Sequence, residues 1–193
     1  MDTIKLIKEI ERKIREAEAY LPVLIAMLQQ QEGLKSIQGQ EELNLIYRIK
    51  DKKRILEKVI LFSNKSGYEG MDENQILDSI GDIIGLTIVV DSVSGSYQRL
   101  YEMLGEINYN FERGSQPIEV KRFVDHISDD GGTTGYKCLL IQYDSKEGIP
   151  FEIQITDSEN LKIREETHEE FERTKYEQVR NASRGQEVED VSK

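Results

Sequence analysis

Apolar residues recur at helical spacing from the start of the chain. Ile4, Ile7, Ile10, Ile14 and Ala17 predict a helix over residues 2–32, with Pro22 kinking it or opening a second helix. Residues 33–39 read as a loop. Leu45, Ile49, Leu56 and Ile60 then fall along one face of a second helix over residues 41–62. Asp72 stands where an N-cap would open a short helix carrying Ile76, Leu77 and Ile80. The period changes at Ile83. The run IIGLTIVV over residues 83–90 is short, β-branched and flanked by polar residues, which predicts a buried strand, taken as the central one. Tyr97, Leu100, Tyr101, Leu104 and Ile107 restore the helical period and complete a βα unit. Residues 118–127 predict another strand. Tyr136–Asp144 and Pro150–Ile155, separated by the turn SKEG, predict an antiparallel hairpin. A helix is expected over residues 157–180, followed by a tail without an apolar period that should fray.

Composition narrows the picture. A chain of 193 residues with 37% apolar and 33% charged positions is long enough for one domain with a real core. The expected division is a helical extension over 1–38, a catalytic-type domain over 39–180 and a disordered tail over 181–193. The one cysteine, Cys138, excludes an internal disulfide, and the only two histidines, His126 and His168, lie too far apart to suggest a zinc site. The charged N-terminal helix lacks a signal-peptide core, and no apolar run approaches the roughly 20 residues of a membrane span. A cytoplasmic protein with no membrane partner is expected. A net charge of −11 disfavours general nucleic-acid binding, so any phosphate site must be a local basic patch.

Three features offer chemistry. In FEIQI, Phe151, Ile153 and Ile155 alternate with Glu152 and Gln154, so a strand would bury the first three and display the two polar residues on its other face. Asp82 stands at the entry to the strand over 83–90. Carboxylates from two neighbouring strands are a usual way to hold Mg²⁺, which keeps several waters and completes its shell with substrate phosphates. Alternation alone also produces an ordinary solvated face. Lys50, Arg54 and Lys58 repeat every four residues, with Arg48 a half-turn away, so a helix would stack them along one side as a track for a triphosphate, or simply as a charged surface. Finally, the glycines of DDGGTTG permit close backbone approach to a nucleotide, and Tyr136 follows with a flat ring for a base. Neither GxxxxGK[ST] nor GxGxxG occurs, so the phosphate site is neither a P-loop nor a Rossmann turn.

Taken in order, these pieces resemble the synthetase domain of the RelA/SpoT family, over roughly residues 47–175. Its Arg-x-Lys pattern with a lysine eight residues further on is similar to Arg48, Lys50 and Lys58. Its strand motif is similar to DIIG at Asp82, its Asp-aromatic-Ile segment to Val124-Asp125-His126-Ile127, and its Gly-Tyr pair to Gly135-Tyr136. EIQI is present unchanged at residues 152–155, and Glu165 with His168 resembles a helical AExxH segment. The resemblance implies a nucleotidyltransferase-like α/β (α+β) fold: a mixed, mainly antiparallel sheet of about five strands flanked by helices, with an N-terminal helical extension. It implies transfer of pyrophosphate from ATP to the 3′-hydroxyl of GDP or GTP, with Asp82 and Glu152 as catalytic Mg²⁺ ligands. Arg48, Lys50, Lys58, Tyr136, Gln154 and His168 would contact the nucleotides, and Arg54, near a position where the family usually carries serine, could supply a further charge from a different direction. It also brings alternatives: a catalytically degenerate nucleotide-binding relative, or a toxin-like relative acting on tRNA 3′ ends. Assembly into a homo-oligomer through segment 2–32 is suggested by analogy with small relatives. The chain departs from the family where it carries Thr87 and Thr156 in place of arginines and Leu140 in place of histidine.

Overall fold

A computed structural model describes residues 3–38, 44–93, 95, 97–113, 118–128 and 135–167. Helix α1 spans Thr3–Gln29 and runs through Pro22 without ending there. Its buried face, Leu6, Ile10, Ala17, Tyr20, Leu21, Leu24 and Leu28, belongs to the same apolar cluster as the sheet, so the segment expected as an extension packs directly into the core. Helix α2 covers Glu32–Gln38, where a loop was expected. Gln38 explains why it docks: its carboxamide bonds the carbonyls of Asn44 and Val89, tying the helix to two strands at once.

The largest correction lies at residues 41–62. Residues 44–62 are not one helix: Leu45–Ile49 form strand β1, and helix α3 begins only at Lys52 and ends at Ser63. Asp51 sets the break, since its carboxylate accepts from the backbone N–H of Arg54 and caps the helix at that point. The sequence LIYRI is β-branched and aromatic, and pairing with the next strand overrides the helical spacing of Leu45 and Ile49. This strand supplies the fifth member of the sheet.

Helix α4, Glu73–Asp78, opens on Asp72 with a capping box closed by Gln75, as the sequence suggested. Strand β2 is Ile84–Val90, helix α5 Tyr97–Arg113, strand β3 Glu119–Asp125, strand β4 Leu139–Asp144 and strand β5 Pro150–Asp157. A final helix, α6, occupies residues 158–167; the expected continuation to residue 180 and the tail lie outside the described residues.

The sheet order is β1-β2-β5-β4-β3. The pair β2–β5 is parallel and the other three pairs are antiparallel. The centre is therefore β5 rather than β2, because the C-terminal hairpin inserts beside β2. Ile84, Leu86 and Ile88 align with Phe151, Ile153 and Ile155, and these with Tyr143, Ile141 and Leu139. That face is the core. Tyr20 of α1 and Phe111 of α5 pack their rings on Phe151, with centroids 6.3 and 6.4 Å away. With helices closing one face, alternation sends the polar set to the other.

Candidate active site

Register places the polar residues in rows across the open face. Arg48 is opposite Gly85, Gly85 beside Glu152, and Glu152 opposite Gln142. The next row is Ile46, Thr87, Gln154 and Leu140. The Arg48 side chain lies over Gly85, where an added Cβ would stand in ordinary contact with it at 3.5 Å.

Glu152 is 9% exposed and held by two carboxamides: Gln142 donates to Oε2 at 2.9 Å and Gln154 to Oε1 at 2.7 Å. Both donors are neutral amides. Gly81 leaves room for the Gln142 carboxamide, since a Cβ there would crowd it at 3.0 Å.

Asp82 has the opposite surroundings. Lys58 Nζ lies 2.7 Å from Oδ1 and Lys50 Nζ 3.0 Å from Oδ2. Burial raises the Asp82 pKa, but the two ammonium groups outweigh it and hold the carboxyl below its usual value. The expected single track of Lys50, Arg54 and Lys58 along one helix does not exist. Lys50 sits in the turn between β1 and α3, anchored by its N–H to the Ile83 carbonyl, and reaches Asp82 from there, while Lys58 comes from α3. Arg54 turns to Glu57 on its own helix, at 3.3 Å.

Tyr136 is largely buried. Its hydroxyl donates to Gln154 Oε1 at 3.1 Å, and desolvation, with the nearby Cys138 thiol, pushes its pKa up to about 12 against the opposing pull of Arg164. It therefore stays a neutral phenol at physiological pH. Thr156, where the family pattern carries arginine, is fully buried and donates to the Lys137 carbonyl, which fixes the segment after Gly135 against β5. Gly135 adopts φ +69°, a backbone state that suits glycine. The rest of the glycine loop and His168 lie outside the described residues. Asp125 acts locally: it accepts from the N–H groups of Ile127 and Ser128 and from the hydroxyls of Tyr97 and Tyr101.

One residue escaped the sequence reading. Arg164 of α6 reaches back over the sheet, and its Nη1 lies 3.2 Å from Thr87 Oγ1 and 3.3 Å from Gln154 Oε1. Helical spacing alone made it one more charge on a polar helix. Its position follows from Asp157, whose carboxylate caps α6 through the Asn160 N–H and also accepts from the Val93 N–H.

Asp82, Glu152, Arg48, Thr87, Gln154 and Arg164 all line one recess of about 40 Å³. Its own side chains cross it, which keeps it small. Larger recesses, of about 450 and 270 Å³, lie along α5 and contain no pair of acids. Among the described residues no three His, Cys, Asp or Glu side chains gather as a metal cage. Two carboxylates with neighbouring carboxamide oxygens are hard donors. They suit a magnesium ion that keeps its waters and takes its remaining ligands from phosphate, not a zinc ion. No helix among the described residues is long and apolar enough to cross a membrane.

Comparison with known proteins identifies the family and the fold. The family model described as "Region found in RelA / SpoT proteins" matches residues 47–178. Small alarmone synthetase 1 from Bacillus subtilis, solved bound to its product pppGpp, superposes with a TM-score of 0.56 at 20% identity, over 96% of this chain and 97% of that one. A GTP pyrophosphokinase family protein from Streptococcus pneumoniae gives 0.51 at 18% identity, over 84% and 78%. Both show the same fold. A search of curated proteins returned no match.

Proposed function

The chain belongs to the RelA/SpoT family, and from that premise we propose that it is a (p)ppGpp synthetase, moving pyrophosphate from ATP to the 3′-hydroxyl of GDP or GTP. The observation that carries the reading is that Asp82, just before β2, and Glu152, on the neighbouring β5, line one recess together with Arg48 and Arg164, while Lys50 and Lys58 stand against Asp82. Solved relatives with this fold include one holding pppGpp, which supports guanine nucleotide as the class of ligand.

In this reading the ribose 3′-oxygen attacks the β-phosphorus of ATP, the bond between the α- and β-phosphates breaks, and AMP leaves. Transfer of this kind asks the protein for position and charge, with little covalent chemistry. Glu152 takes up the 3′-hydroxyl proton, held in place for it by the carboxamides of Gln142 and Gln154. Lys50, Lys58 and Arg48 offset the charge of the triphosphate. Tyr136, an uncharged ring beside Gln154, offers the face on which guanine stacks. Asp82 and Glu152 would hold Mg²⁺, which when bound neutralises the phosphates and orients them for in-line displacement. Arg54 would enter only by leaving Glu57.

The test is AMP release from ATP and Mg²⁺ with GDP, GTP or tRNA as acceptor. The expected result is turnover with a guanine nucleotide, abolished by Glu152→Gln and by Asp82→Asn with circular dichroism unchanged. Turnover only with tRNA would select the toxin-like alternative, and nucleotide binding without turnover the degenerate one. Wild-type rates in both variants would remove these acids from the chemistry.

A further inference from the structure

The cations of the recess are not partnered alike. Lys50 and Lys58 are both paired with Asp82. Arg164 contacts Thr87 Oγ1, Gln154 Oε1 and the Tyr136 hydroxyl, all neutral, and no carboxylate pairs with it among the described residues. Its bonds to Thr87 and Gln154, 3.2 and 3.3 Å, are long for N–H···O contacts. A guanidinium carries five N–H donors, and the bonds to Thr87 and Gln154 both come from Nη1. In a chain with 37 acidic and 26 basic residues, an inward-facing arginine without a carboxylate partner is conspicuous. A half-buried charge held in this way gains when a counter-charge joins it.

Its position along the sheet says which counter-charge. Thr87 stands three residues beyond the start of β2, roughly 10 Å along the strand, whereas Asp82 and its lysines stand just before that start. The recess thus has Arg48 in the row of Glu152 and Arg164 over the next row, with Lys50 and Lys58 reaching Asp82 from beyond its other end. The planar fork of an arginine matches phosphate oxygens better than it matches any group it now touches.

We infer that Arg164 is a nucleotide-binding residue, whose guanidinium takes a phosphate oxygen of the bound nucleotide at the end of the recess away from Lys50 and Lys58. This rests on the recess being a nucleotide site, as proposed above. It also assigns the charge that strand β2 does not supply at Thr87 to the helix that follows β5.

Titrating a non-hydrolysable ATP analogue and, separately, GDP into the wild-type chain and the Arg164→Ala, Arg164→Lys and Arg164→Gln variants tests it. For at least one nucleotide, Arg164→Ala should weaken binding tenfold or more, and lysine should retain more affinity than glutamine because charge is what matters. An alanine variant that binds both nucleotides like the wild type overturns the inference while leaving the proposed function intact. So does a glutamine variant that restores what lysine does not, since that ranking marks a neutral tie between α6 and the sheet. If alanine disturbs the fold, the lysine and glutamine ranking decides. A wild-type chain that binds neither nucleotide overturns both readings together.

Discussion

Asp82 and Glu152 are two carboxylates prepared for different work by what surrounds them. Asp82 has two lysines within 3.0 Å, Glu152 only carboxamides. Removing one lysine should show what this arrangement contributes. Lys58→Met is expected to raise the KM for ATP by roughly ten- to a hundredfold, the size of a lost charge-assisted contact of about 1.5–3 kcal/mol. The Asp82 pKa should rise in the same variant, moving the acid limb of the pH–rate profile upward; steady-state kinetics across pH would read both effects. Both acids could be marked from the sequence, because EIQI alternates and DIIG opens a strand. Arg164 could not, because nothing in a helical period tells which charged side chain turns back over a sheet; only the Asp157 cap and the neighbouring Thr87 reveal it.

At the scale of elements, the turn between β1 and α3 decides where the lysines go. Asp51 ends the strand and starts the helix, which puts Lys50 and Lys58 on two different elements aimed at one carboxylate. Asp51→Ala should lower stability by about 1 kcal/mol through the lost cap. In a chain of this size that corresponds to a fall in melting temperature of roughly 2–4 °C, measurable by thermal circular dichroism. The same turn marks the limit of the sequence reading. Strongly periodic elements, α1, α5 and the β4–β5 hairpin, were legible because a single period runs through each. The segment from 45 to 62 was not, because Leu45, Ile49, Leu56 and Ile60 happen to keep helical spacing across a strand–turn–helix junction. Only pairing with β2, a contact about 40 residues away in sequence, resolves it.

At the scale of the molecule, acid should find the fold through its capping carboxylates. Burial raises the Asp125 pKa, but the Tyr97 hydroxyl and the N–H groups of Ser128 and Ile127 bring it down to about 2. Asp82 and Asp157 are lowered as well. Each has a folded-state pKa below its unfolded one, near 3.9. Their stabilisation is therefore complete above about pH 4 and disappears as the pH falls through the folded values. Asp125→Asn should flatten the loss of stability between about pH 4 and pH 2, as followed by urea unfolding at each pH. The single parallel pairing of the sheet has a kinetic consequence of its own. Because β2 and β5 run in the same direction, every residue from 91 to 149 must be synthesised and set aside before Glu152 can settle next to Gly85. A chain still emerging from the ribosome has its lysines and Asp82 long before it has Glu152, so the recess is completed only by the last strand of the described sheet to arrive.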